Sequence, residues 1–323
     1  MNAVARDLTA EAEAVQHMLA RARLSIDDTQ PGRTCFLSHL GAQQRLGPGA
    51  WMGHRDLLYG LALANLSPAQ RTSLARAVLV DHGREFGVGR LRLQTLASGL
   101  PLGGSSLLME PRKGGPSCLY TWALGPGATP AKCDWLLLRA SPEWAVDPPP
   151  KRFSARGIQL LTQLGGEVLI LVGSAVGAVQ VAQACAGTLR VAAHPRFSPH
   201  IEALDPEAAV LLWPHDALDG AGLRRHEVAA VALIDAPEGV RTATKSWLER
   251  RAADRDGEGV EVADLSCPGR MSREQLLGFW AACGKPAVFL TGDPQWAADG
   301  ARWLRSVGAD VVVHGEATQL SLL

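Results

Sequence analysis

The residues through which this chain could do chemistry are nine histidines, six cysteines and the acid pair Asp27-Asp28. Zinc-dependent hydrolysis draws on such side chains: three or four His, Cys or carboxylate ligands hold the ion, which lowers the pKa of water from about 15.7 to about 7. The cysteines stand alone at 35, 118, 133, 185, 267 and 283, with no Cys-x-x-Cys pair. They therefore read as reduced thiols of the core or its margin. His39 follows Ser38 at the end of a short apolar run, where a histidine reads as a hydrogen-bonded structural residue. Asp27 and Asp28 lead into Thr29 and Gly32 and read as a turn or a cap. A metal hydrolase built from scattered residues would gather Asp27, Asp28, His39 and either His54 or His82.

Other motifs carry less. Gly173-Ser174-Ala175-Val176-Gly177 lacks the lysine of a Walker loop and the third glycine of a dinucleotide fingerprint, so it reads as a tight strand-to-helix turn. Ser105 and Ser174 lack a Gly-x-Ser-x-Gly elbow and an identifiable base. The stretch from Leu211 to Asp235 has a look of a helicase motor domain, but without a Walker loop it cannot be an autonomous motor. Basic residues form three small groups: Lys151-Arg152 with Arg156, Arg224-Arg225, and Arg250-Arg251. The bland reading makes them solvated loops and helix ends, with the last pair complementing a helix C-terminus. Phe153, Trp213 and Trp247 are too scattered for a base-stacking platform. Trp51, Trp122 and Trp144 read as core rather than interface anchors.

The elements that must position these residues change character along the chain. Helices are expected over Leu8–Leu24, His54–Leu63 and Ser67–Val78, the last with Pro68 in the first turn behind a Ser67 cap. Short strands at Thr34–Leu37, Leu91–Thr95, Ser105–Glu110, Ser117–Trp122 and Asp134–Arg139 make a sheet of sequence neighbours. Pro148-Pro149-Pro150 breaks any regular element and marks a seam. Beyond it strands and helices alternate, which predicts a parallel α/β sheet.

Composition bounds the function. The 323 residues include 47% hydrophobic ones, enough to bury a core, and 32 Lys+Arg balance 32 Asp+Glu. No overall positive field steers a polyanion onto the surface. The first residues mix Asp7, Glu11, Glu13, Arg21 and Arg23 with apolar ones, unlike a signal peptide. No apolar run reaches the roughly 18 residues needed to span a bilayer. A cytoplasmic protein without a membrane partner is expected.

Six segments, in order, resemble the metallo-β-lactamase fold of the β-CASP nuclease branch, which includes DNA-ligase-associated exonucleases and RNA-cleaving cleavage/polyadenylation factors. Leu24-Ser25-Ile26-Asp27 running to Cys35-Phe36-Leu37-Ser38-His39 is similar to the family's short strand and the strand delivering His-x-His-x-Asp-His. Ser98-Gly99-Leu100 to Ser105 resembles the Gly-His-x-x-Gly-Ser loop. Leu119-Tyr120-Thr121-Trp122-Ala123 sits where Tyr-Thr-Gly-Asp is expected, and Cys133 to Ser141 resembles the strand ending in Glu-Ala-Thr. Gly166 to Gln180 is similar to the β-CASP strand and helix start, and Lys285 to Pro294 to the returning Phe-Leu-x-His-Gly-Glu-Pro strand.

The resemblance implies an α/β chain: a metallo-β-lactamase αββα sandwich with an inserted β-CASP-like parallel α/β domain. Residues 1–150 would form the main part, 151–284 the insert and 285–323 the return. The metal motif departs from the family. It reads His39-Leu40-Gly41-Ala42-Gln43-Gln44, so Gly41, Gln43 and Gln44 replace ligands, and Leu100, Ala123, Arg139 and Thr291 stand at four further ligand or acid positions. A single imidazole cannot assemble a zinc site, and Arg139 would repel a dication nearby. The expectation is therefore a pseudonuclease with neither catalytic residues, metal nor cofactor, working as a binding or scaffold subunit. Its partner would be a nucleic-acid-processing enzyme or an active homologue. DNA or RNA held by Lys151, Arg152, Arg156, Arg224 and Arg225 is the second option. A metal-dependent nuclease or hydrolase with a relocated site is the alternative, and an unrelated α/β binding module a third reading.

Overall fold

Strand β1 (Leu24–Ile26), β2 (Thr34–Leu37), β3 (Ala50–Gly53) and β4 (Val78–Leu79) pair in chain order, all parallel, into a four-stranded sheet. A larger sheet follows from β5 (Glu85–Val88), β6 (Leu91–Ala97), β7 (Ser105–Pro111), β8 (Cys118–Thr121) and β9 (Trp135–Arg139). Two strands from the far end of the chain, β16 (Ala287–Thr291) and β17 (Val311–Val313), complete it in the order β17-β16-β9-β8-β7-β6-β5. Pairing is antiparallel from β5 to β8 and parallel from β8 to β17. The computed structural model describes residues 17–18, 20–40, 46–64, 66–146, 150–163, 166–202, 204–220, 222–253 and 260–313.

Alternation along the strands decides the layers, because successive side chains point to opposite faces. Leu24, Ile26, Phe36 and Met52 of the small sheet pack with Leu93, Leu107, Met109, Tyr120, Trp135, Leu137 and Phe289 of the large one. The other face of the large sheet, with Leu119, Leu136, Leu138, Val288 and Leu290, is covered by helical residues. These come from Pro142–Ala145, Arg273–Ala282 and Pro294–Ser306. On the outer side of the small sheet lie α1 (Arg55–Ala62) and α2 (Pro68–Ala75). A Cβ on Gly53 would meet Leu37 and Leu57 at 3.3 and 3.4 Å, and Ser73 accepts from Gly49 at 2.9 Å. This unit is thus layered helix, sheet, sheet, helix. The helix ends follow from local chemistry: Ser67 and Gln70 form a capping box on α2, with Pro68 in its first turn.

The second unit is an all-parallel α/β sheet. Its elements are β10 (Lys151–Arg152), α4 (Ala155–Thr162), β11 (Glu167–Val172), α5 (Ala175–Cys185), β12 (Val191–Ala193), β13 (Val210–Pro214), β14 (Val228–Ile234), α6 (Glu238–Ala253) and β15 (Glu261–Ser266). The strand order is β10-β15-β14-β11-β13-β12. β11 is apolar and buried from Val168 to Val172, as an interior strand covered on both faces requires.

The chain is therefore α/β, with one mixed and two parallel sheets among the described residues. It divides into Met1–Asp147 with Arg270–Leu323, and Pro148–Gly269. The boundary beyond the second unit differs from the expected 284. α7 (Arg273–Ala282) belongs with the first unit, because its Leu276, Phe279 and Trp280 bury in the layer that also holds Trp144, Trp296 and Leu304 of α3 (Pro142–Ala145) and α8 (Pro294–Ser306). Strands β3, β4 and β5 were not expected from sequence. The expected helix at Leu8–Leu24 falls largely outside the described residues, and Leu24 belongs to β1. Among the described residues no helix is long and apolar enough to cross a membrane.

Candidate functional site

β1 and β2 end side by side, with Ile26 opposite Phe36. Asp27 and Ser38 follow those ends and meet. Asp27 is fully buried and takes a left-handed φ of 56°, a conformation that a short acidic side chain tolerates. Its carboxylate accepts from the Ser38 N–H at 2.7 Å, from the Ser38 hydroxyl, and from the Tyr120 hydroxyl at 2.9 Å. His39 Nδ1 stands 3.3 Å away and contacts the Ser38 hydroxyl at 3.0 Å. Burial pushes the Asp27 carboxyl up, yet the His39 ring and the Ser38 donors outweigh it and hold the group below its ordinary value.

Next to this network the strand ends of the large sheet converge. Thr121 pairs with Leu138 across β8 and β9, which brings Trp122 and Arg139 together. The Trp122 ring stacks on His39 with centroids 4.2 Å apart and 14° between planes, and the Arg139 guanidinium carbon lies 4.0 Å from the Trp122 centroid. Thr291 is the register partner of Arg139 on β16, and Gly292 after it keeps the Arg139 stem uncrowded. Leu100 and Ala123 are buried in loops joined by the Gly125 N–H donating to Ser98 at 2.8 Å. The first unit thus gathers His39, Arg139 and Thr291 at adjacent strand ends, while Gly41, Gln43 and Gln44 lie outside the described residues.

His54 and His82 are used differently. Their rings stack on each other at 4.1 Å. His54 caps α1 by accepting from the Asp56 N–H at 3.2 Å, and His82 Nε2 contacts the Ser105 hydroxyl at 3.0 Å. Burial holds His82 below its ordinary value. Of the alternative metal set, then, the structure pairs Asp27 with His39 and sets His54 against His82. Among the described residues no group of three or more His, Cys, Asp or Glu is arranged to hold a metal ion.

In the second unit the basic groups do not converge. Lys151 and Arg152 pair with Leu265 and Ser266, at the C-terminal end of the parallel strands, and Arg156 lies in the first turn of α4. Arg224 and Arg225 sit in the turn Leu223–Arg225 that leads into the opposite end of β14. The length of a seven-residue strand, about 20 Å at about 3.3 Å per residue, separates them. Arg250 pairs with Asp219 at 3.1 Å, and Arg251 donates to the Leu223 and His226 carbonyls. Ser174 accepts from the Gly177 N–H at 3.1 Å, so the glycine-bearing turn satisfies its own helix start.

From the sequence Tyr120 is placed only within a motif, and Trp122 within that motif and as a core tryptophan. Neither was singled out as a partner of Asp27 or His39, because the contacts depend on how one sheet lies over the other. None of the six cysteines is in a disulfide; Cys133 is half-buried and the others buried. Trp51 and Trp144 are buried in the core, and Trp122 is half-buried.

No protein-family model matches the chain, and no curated protein matches it. Among solved structures it is similar to a protein of unknown function from Enterococcus faecalis V583, with a TM-score of 0.52 and 12% identity over 87% of this chain and 79% of that one. At that identity the likeness concerns the fold alone.

Proposed function

We propose that the chain is a catalytically inert member of the metallo-β-lactamase/β-CASP group, which keeps the two-unit shell and acts as a binding or scaffold subunit for a DNA- or RNA-processing enzyme. Support for the shell comes from the helix-sheet-sheet-helix layering of the first unit and from a parallel α/β unit inserted between α3 and α7. The observation that carries the loss of hydrolysis is the stack of His39 and Arg139 on Trp122. Where the resemblance implies an acid, the permanent cation Arg139 stands instead, packed on Trp122, and the one retained histidine directs Nδ1 to a buried aspartate and serine. A permanent cation disfavours a dication beside it. The separation of Lys151 and Arg152 from Arg224 and Arg225 supports a protein partner over a continuous phosphate track.

Elemental analysis of the purified chain with a nuclease assay tests the inert reading, and affinity capture with mass spectrometry tests the partner. The expectation is substoichiometric zinc, no degradation of DNA or RNA, and a nucleic-acid-processing enzyme as stoichiometric partner. Stoichiometric zinc with nuclease activity that His39→Ala abolishes would overturn it and favour the relocated metal site.

A further inference from the structure

Cys133 precedes β9, and Cys283 caps the C-terminus of α7. The Cys133 N–H donates to the Cys283 carbonyl at 3.2 Å. That bond brings the two backbones into contact, and a disulfide bridges Cα atoms about 4.4–6.8 Å apart without backbone movement. The two thiols also interact with each other. Cys283 is fully buried in the helix-covered core, whereas Cys133 packs at its edge and is half-buried. We propose that Cys133 and Cys283 are an oxidation site that closes to a reversible intrachain disulfide on exposure to peroxide.

Peroxide reaches the Cys133 sulfur, the less buried of the two, first. The O–O bond breaks, one oxygen adds to that sulfur as a sulfenic acid, and the other leaves as water. The Cys283 sulfur then displaces the hydroxyl, which departs with the Cys283 proton as a second water while the S–S bond forms. The two thiols lose two electrons and the peroxide gains them. The other cysteines are poor competitors. Cys35, Cys118, Cys185 and Cys267 are buried, and the Cys267 thiol is engaged with Gln180 at 3.3 Å. A thiol shut away from solvent reacts slowly.

The second unit, Pro148–Gly269, lies wholly within the sequence between the two cysteines. The bond therefore closes a loop that contains all of it. The test treats the folded full chain with hydrogen peroxide, alkylates it under denaturing conditions and maps peptides by mass spectrometry. The expected result is the loss of two of the six alkylatable thiols, a linked peptide pair carrying Cys133 and Cys283, faster migration on a non-reducing gel, and recovery of both thiols with dithiothreitol. Cys133→Ser should keep every remaining thiol. Sulfinic or sulfonic acid at Cys133 with Cys283 still alkylatable, linkage to another cysteine or to a second chain, or no thiol lost, each overturns the proposal. Because the mapping is done on the native sequence, it does not depend on a variant folding.

Discussion

The Tyr120 hydroxyl donates to the Asp27 carboxylate at 2.9 Å, and so joins β8 of the large sheet to the end of β1 in the small one. Both residues are buried, so the bond is made away from water and to a charged acceptor. Hydrogen bonds to charged groups contribute about 1.5–3 kcal/mol, and a stranded buried acceptor costs about as much. Tyr120→Phe should lower unfolding stability by about 2 kcal/mol with the denaturant slope unchanged, as measured by urea unfolding. An unchanged midpoint would show that the tie between the sheets contributes nothing.

The same carboxylate sets the acid limit. Its proton affinity is lower in the folded chain than at the ordinary 3.8, so the unfolded chain takes up the proton first as pH falls. The stability it contributes is complete above the unfolded value and is lost as pH drops through the lower, folded one. Stability measured from pH 6 to pH 2 should therefore fall below pH 4, and the slope should shrink in Asp27→Asn. An unaltered acid slope in that variant would assign the loss to other groups.

His200 should behave in the opposite way to a useful polar residue. It is buried at 9% exposure, neither ring nitrogen has a hydrogen-bond partner, and burial lowers its affinity for a proton. The unfolded chain protonates this ring first as pH falls through 6.5, so stability is full above that value and declines below it. His200→Leu should leave stability at pH 8 equal or higher, since an unsatisfied buried polar group is removed, and should flatten the decline between pH 7 and pH 5. A loss at pH 8 would mean that the ring is engaged in the folded chain.

How much of this was legible in the sequence depends on the range of the interactions. β9 reads as a strand because Trp135-Leu136-Leu137-Leu138 feeds two cores at once, and α2 and α7 announce themselves by Ser-x-x-Gln boxes. β3 does not, since Ala50-Trp51-Met52-Gly53 carries no β-branched residue and takes its conformation from packing between β2 and β4. α7 was legible as a helix but not as part of the first unit, because nothing local says which sheet Leu276 and Trp280 will cover. Likewise Asp27 and His39 were visible as candidates, while Tyr120 and Trp122 reach them only through sheet-on-sheet packing.

The strand-end arrangement around Arg139 offers a test of its own. Gly292 has a φ of 109°, and a Cβ there would lie 2.9 Å from Arg139 Cγ. Gly292→Ala therefore carries two costs: a backbone conformation that side-chain-bearing residues rarely adopt, about 1–3 kcal/mol, and a clash with the arginine stem. Arg139→Ala removes that stem, along with a cation–π contact to Trp122 of about 0.5–2 kcal/mol. In a double-mutant cycle the two substitutions should be less than additive, because the clash disappears when Cγ is gone while the backbone cost stays. Thermal and urea unfolding of the four proteins would measure this. Strict additivity would mean that Gly292 is kept for its backbone alone and has no part in seating Arg139 on Trp122.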